Sequence, residues 1–199
     1  KAIEGFVSKE FDELDAVVIS TPSHLHEPHT LSALAAGVHV LCERPLALSV
    51  RGIERILAAA TRYDRKVAVA NNHRFRSDVQ AVAAFLRGGE LGKLTGVRTG
   101  TYQAKRAAEG WRLRRAEAGG GVFMEQGFAM LDLALWLADF PEPVRVSAHM
   151  DRGRGASTVE DAMLAFVELE QGKTIVIDVN WSVTSQEDRW WFDLLATRG

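Results

Sequence analysis

Three features predict an α/β fold in which a partial Rossmann-type parallel sheet is followed by an α+β domain with an open, mainly antiparallel sheet. First, Asp15–Ser49 holds two apolar runs, Ala16–Ile19 and Val38–Cys42. They flank a stretch with Leu31, Leu34, Ala35 and Val38 at helical spacing and Gly37 as its stop. Two apolar strands joined by one helix form a βαβ unit of a parallel sheet. Second, the pattern changes after Leu91, where strand-like runs follow one another with few helices between them. Third, a helix led by three glycines, about Val122–Ala138, interrupts that second part.

In chain order, a strand Ala16–Ser20 leads into a helix Pro28–Ala36 and a strand Val38–Cys42. Ser49 suits the N-cap of a helix that places Ile53, Ile56, Leu57 and Ala60 on one face. Strand Lys66–Ala70 completes a second βαβ step. Ser77 with Gln80 predicts a capping box, opening a helix with Val79, Val82 and Leu86 inward and Gly88-Gly89 at its end. Half-alternating strands are predicted at Lys93–Tyr102, Pro143–Met150, Thr158–Leu169 and Lys173–Trp181, the last two joined by a turn at Glu170-Gln171-Gly172. In the glycine-led helix, Met124, Phe128, Leu131 and Leu135 form the predicted core stripe, with Glu125, Ala129, Asp132 and Trp136 on the adjacent face. A boundary near Asn72 separates 1–72, the parallel-sheet part, from 73–199, the α+β part.

With 47% hydrophobic residues, the chain can bury a core. A formal charge of −2 supplies no pull toward nucleic acid or an anionic membrane, and neither is expected as a partner. No apolar run approaches the roughly 20 residues of a spanning helix. The lone Cys42 lies inside an apolar strand, which excludes a disulfide framework and fits a reducing cytoplasm. His24, His26 and His29 invite a metal-site reading. No cysteine or carboxylate constellation supports it, and Pro28 breaks any single helical face through all three, so no metal is expected.

Ligands of parallel sheets bind at the carboxyl ends of the strands, where Thr21–Ser23 and Glu43–Pro45 both fall. Those residues also carry a resemblance. Thr21-Pro22-Ser23-His24-Leu25-His26 resembles the T-P-N-x-x-H of the Gfo/Idh/MocA family, with Ser for Asn, and Glu43-Arg44-Pro45 resembles its E-K-P, with Arg for Lys. Gly119–Asp132 resembles G-G-G-x-x-x-D-x-G-x-H-x-x-D, with Glu125 for Asp and Ala129 for His. The resemblance continues in order through Leu91-Gly92, Trp111-Arg112, Val159-Glu160-Asp161 and Ala196–Gly199. It implies an NAD(P)-dependent oxidoreductase acting on a sugar, cyclitol or related polyol, with 1–72 the C-terminal part of a dinucleotide-binding domain, 73–199 a substrate and oligomerisation domain expected to continue past 199, and a homo-oligomer formed through the second-domain sheet. It implies cofactor contacts from Ser20, Thr21, Pro22, Ser23, His26, Glu43, Arg44 and Pro45.

In that family the Lys of E-K-P orients substrate and cofactor, and the His after the glycines is the acid/base. Carried over, these positions are Arg44 and Ala129. Arginine stays protonated, so Arg44 suits holding an oxyanion or hydroxyl rather than donating a proton. Glu125 keeps a carboxylate and would serve as base if burial raised its basicity; the alternative is a helix N-terminal charge. His73, past the third strand, completes the candidate catalytic set of Arg44, Glu125 and His73; a surface or capping histidine is its bland alternative. Arg74, Trp111, Arg112, Gln126 and Ala129 are the candidate substrate contacts, with a packing role the alternative for Trp111. Turnover is expected to be slow and to rise in Ala129→His. The rival reading is a family member that binds a nucleotide or sugar-like ligand without dehydrogenase turnover.

No G-x-G-x-x-G occurs in the chain. In the family that loop lies in the first βα turn, so a strand, a phosphate-binding turn and a helix are expected upstream of Lys1. The choice between NAD and NADP would be made there.

Overall fold

The computed structural model describes residues 14–104, 110–152, 158–183 and 187–199. They fall into two compact units, one running to Ala70 with Ala116–Gly119, the other comprising Asn71–Arg115 and Gly120–Gly199.

The first unit is a three-stranded parallel sheet in the order β1 (Ala16–Ile19), β2 (His39–Cys42), β3 (Val67–Val69). A 3₁₀ turn, Ser23–Leu25, leads into α1 (His26–Ala35), two residues earlier than the sequence predicts. Gly37, at φ 81°, ends that helix in the left-handed region open to glycine. α2 (Val50–Tyr63) is capped as expected, its Ser49 hydroxyl accepting the Gly52 N–H at 3.1 Å. Ile19, Val40 and Cys42 turn to one side of the sheet and pack with Leu34 and Ile56 of the helices. On the other side Val18 and Leu41, paired in register, are 72% and 40% exposed.

The second unit holds a five-stranded mixed sheet in the order β5-β6-β7-β4-β8, with β4 Leu94–Ala104, β5 Pro143–Asp151, β6 Ala162–Leu169, β7 Thr174–Val183 and β8 Arg189–Ala196. Every neighbouring pair is antiparallel except β4 with β7. The expected hairpin turn is present, with Gln171 and Gly172 both at positive φ between β6 and β7. β8 is an addition to the predicted elements. Its Trp190, Phe192 and Leu194 alternate along the strand and pack toward the buried side.

Two expectations need correction. α3 (Ser77–Arg87) has no capping box: Arg76 occupies the cap position without a side-chain cap, and the Gln80 amide donates to the Arg74 carbonyl. Arg76 instead pairs with Asp78, and that hydrogen bond holds the Asp78 carboxyl down at about 2. The glycine-led helix begins as one π-helical turn, Phe123–Gly127, and continues as α4 (Phe128–Leu137). A π turn inserts a residue into the helical register. The predicted stripe is displaced accordingly: Ala129, Met130, Leu133, Ala134 and Leu137 are buried, while Phe128, Leu131 and Leu135 are half-buried. Ala129 packs in the same core as Val97, Ile175 and Ile177 of the sheet.

Candidate active site

In the first unit the turn after β1 and the turn after β2 stand side by side. His26, from the first turn of α1, is 1% exposed; its Nδ1 lies 2.7 Å from the Pro45 carbonyl oxygen and its Nε2 2.7 Å from that of Thr21. Thr21 Oγ1 and His29 Nδ1 are 3.1 Å apart. Burial, and then positive charge on His26, lower the basicity of His29. The Arg44–Pro45 bond is cis. Ser20 and Glu43 are exposed, Thr21, Pro22 and Arg44 half-buried, and Ser23 and Pro45 buried. The structure thus gathers the expected cofactor-side residues at one end of one sheet.

The second unit places three groups. Arg74 clasps Asp132 through two contacts, Nε on Oδ2 at 2.7 Å and Nη2 on Oδ1, and Asn71 Nδ2 adds a bond to Oδ1 at 2.9 Å. The guanidinium also lies 5.1 Å from the centre of the Phe140 ring. His73 stacks on Trp190 with ring centres 5.8 Å apart and planes inclined by 11°, and Arg76 covers the same indole at 4.3 Å. Arg112 lies 4.6 Å over Trp111 and pairs with Glu125 at 3.3 Å, the two charged side chains being 46% and 40% exposed. Glu125 is therefore ion-paired at the surface rather than buried. Trp111, Arg112 and Glu125 together offer an aromatic face, N–H donors and a carboxylate acceptor, a combination suited to a hydroxyl-rich ligand.

Gln126, next in the π turn, is 9% exposed, and neither of its amide atoms has a hydrogen-bond partner among the described residues. Ala129, expected on the same helix face as Glu125 and as a substrate contact, is 4% exposed and belongs to the apolar core, because the π turn has rotated it there.

Sequence reasoning did not give Glu160 and Asp132 their roles. Glu160, 6% exposed, accepts the Gly121 N–H at 2.8 Å and the Phe123 N–H at 3.3 Å, while its own carbonyl takes the Val122 N–H at 3.0 Å. It fixes the start of the helix by satisfying donors that helix geometry leaves unpaired. Gly121 is required there, since a Cβ would sit 1.9 Å from the Glu160 carbonyl oxygen. Among the described residues no set of three side chains is arranged to hold a metal ion.

Residues 3–71 match the family described as "Oxidoreductase family, NAD-binding Rossmann fold", and residues 79–199 match "GFO/IDH/MocA C-terminal domain". The chain is 31% identical over 192 residues to the 1,5-anhydro-D-fructose reductase of Ensifer adhaerens, covering 94% of the chain and 56% of that relative. It is 27% identical over 189 residues to the D-glucoside 3-dehydrogenase of Escherichia coli (strain K12), covering 87% and 54%. Among solved structures, GenD2 from gentamicin A biosynthesis in complex with NAD matches with a TM-score of 0.91 at 25% identity, over 98% of the chain and 55% of that protein. The chain spans about half the length of the curated relatives it matches. With both family descriptions fitting in succession, and with part of an NAD-binding Rossmann fold in its first unit, the chain belongs to the Gfo/Idh/MocA family.

Proposed function

We propose that this chain is part of an NAD(P)-dependent oxidoreductase that moves a hydride between the nicotinamide and a carbinol carbon of a sugar, cyclitol or related polyol. The observation that carries the reading is the pair of turns at the carboxyl ends of β1 and β2, in a unit whose residues match an NAD-binding Rossmann fold. Relatives named as a sugar-derivative reductase and a glucoside dehydrogenase support the substrate class. The residues present fit such a cofactor: Ser20, Thr21, Pro22, Ser23, Glu43, Arg44 and Pro45 share the ligand-binding end of the sheet. The cofactor, NAD or NADP, supplies the hydride acceptor or donor. The first unit is then the dinucleotide-binding part and the second the substrate and oligomerisation domain.

In this reading Arg44 holds a ligand oxygen and moves no proton. Arg112 and Glu125 engage hydroxyls beside the Trp111 ring, and His73 or Glu125 is left to carry the proton. Arg74 is committed to Asp132, so its part is to position the segment after β3. The outer face of the five-stranded sheet carries Leu164, 53% exposed, and Phe166, 38% exposed, and is the surface for self-association. No helix of the described residues is long and apolar enough to cross a membrane; the proposed cytoplasmic location rests on the lone cysteine, the free and buried Cys42.

A second reading, ligand binding without turnover, is favoured by two observations: the position matching the family's His is a core alanine, and Glu125 is ion-paired with Arg112. One experiment separates the two. The whole protein is titrated with NAD and NADP, then mixed with sugars and inositols while nicotinamide absorbance is followed. Dinucleotide binding with turnover on the order of 10²–10⁴-fold below that of an enzyme with a positioned acid/base is expected. Arg44→Ala should weaken ligand binding and Arg44→Lys should keep it. Absence of dinucleotide affinity would sink the proposal. Fast turnover that survives both Glu125→Gln and His73→Ala would remove those residues from the chemistry.

A further inference from the structure

The sheet ladder between β1 and β2 ends where the Glu43 N–H donates to the Ile19 carbonyl at 2.8 Å. Beyond that rung the backbone has less to offer. Pro45 carries no N–H, and both strands have turned away into Thr21–Ser23 and Glu43–Pro45. His26 spans the gap. Its ring, 1% exposed, meets the Thr21 carbonyl with one nitrogen and the Pro45 carbonyl with the other, each at 2.7 Å. A carbonyl oxygen only accepts, so the ring serves these carbonyls as a donor, and the two contacts take up both of its nitrogens. Neither nitrogen is left over for a ligand.

We propose that His26 is a positioning residue that pins the two ligand-side turns of the first unit at a fixed spacing without touching the ligand itself. The proposal rests on the reading of that unit as dinucleotide-binding. A fixed spacing matters because a bound dinucleotide must otherwise order both turns at its own cost, which is lost from its affinity. The pin is short-ranged and buried, so its effect is confined to Thr21–Leu25 and Glu43–Ala47.

The test compares the protein with His26→Ala and His26→Gln, the glutamine amide being able to serve one carbonyl but not both. Backbone hydrogen exchange in His26→Ala should speed up in peptides covering those two segments and stay unchanged in α2 and in the second unit, with His26→Gln intermediate. In the whole protein, the dissociation constant for NAD should rise roughly tenfold in His26→Ala, the loss of about one hydrogen bond's net worth, and less in His26→Gln. Unchanged exchange in both turns overturns the pin. Faster exchange with an unchanged dissociation constant makes His26 structural only and overturns the positioning role. If the unmodified protein binds neither NAD nor NADP, the dinucleotide reading fails, while the exchange comparison still decides whether the ring pins the turns. If His26→Ala does not fold, His26→Gln carries both comparisons.

Discussion

At position 129 the side chain is a methyl group, 4% exposed, in one core with Met130, Ala134, Ile175 and Ile177. Replacing it with imidazole inserts a ring and polar nitrogens into that packing. Ala129→His is therefore expected to destabilise the second unit by about 1–3 kcal/mol and to leave turnover no higher, which reverses the expectation drawn from motif alone; urea unfolding alongside a turnover assay checks both. A gain in turnover at unchanged stability would show that the site opens onto position 129. His29 gives a prediction about pH. Its folded form resists protonation, chiefly through burial and then through the charge of His26, whereas the unfolded side chain takes a proton near 6.5. The unfolded state then binds more protons, so stability should fall as pH drops below about 6.5. The urea midpoint measured across that range, with His29→Asn flattening the slope, decides it. Residues at strand ends were legible from position alone, which is how Thr21 and Pro45 were found. The partners of Asp132 and Glu160 were not, because Arg74 and Gly121 lie 58 and 39 positions away in the chain and no local pattern reports such a bond.

The start of α4 shows what elements add. Three glycines signal a tight entry, but the reason for the tightness is the Glu160 backbone, which packs against Gly121 from just before β6 while its buried carboxylate accepts the N–H groups there. Glu160→Ala should leave the Gly121 and Phe123 N–H groups unpaired and cost about 1–3 kcal/mol, while Gly121→Ala should be more damaging because the clash is with backbone. Thermal unfolding of both variants measures this; equal stability would mean that the helix start can shift. Helix and strand existence followed closely from periodicity, and Ser49, Gly37 and Gly172 acted as the sequence implied. The π turn escaped because its hydrogen-bond shift leaves no mark in an almost wholly apolar segment, where any register looks amphipathic. The capping box at Ser77 escaped for another reason. Arg76 and Asp78 offer each other a charge-assisted bond, and Gln80 found a nearer carbonyl.

For the whole molecule, the outer face of the five-stranded sheet is the surface proposed for self-association. Leu164 and Phe166 lie on that face, with Trp191 and Tyr102 in edge-to-face contact on the same side at 4.9 Å. Such an apolar and aromatic surface has the composition of an interface centre. Phe166→Lys is expected to lower the assembly state seen by sedimentation velocity without lowering the unfolding midpoint; an unchanged sedimentation coefficient would place association elsewhere. The order of that sheet has a consequence of a different kind. β4 lies between β7 and β8, paired parallel to one and antiparallel to the other. It therefore leaves the ribosome long before either of its neighbours exists. Until β7 and β8 follow, both of its edges and their free backbone donors are open, and the sheet cannot close from its N-terminal side. Contacts this distant in sequence are made late. Formation of the second unit should thus be the slow step of folding, with the β5–β6–β7 meander ready first and β4 docking onto it as a strand already waiting.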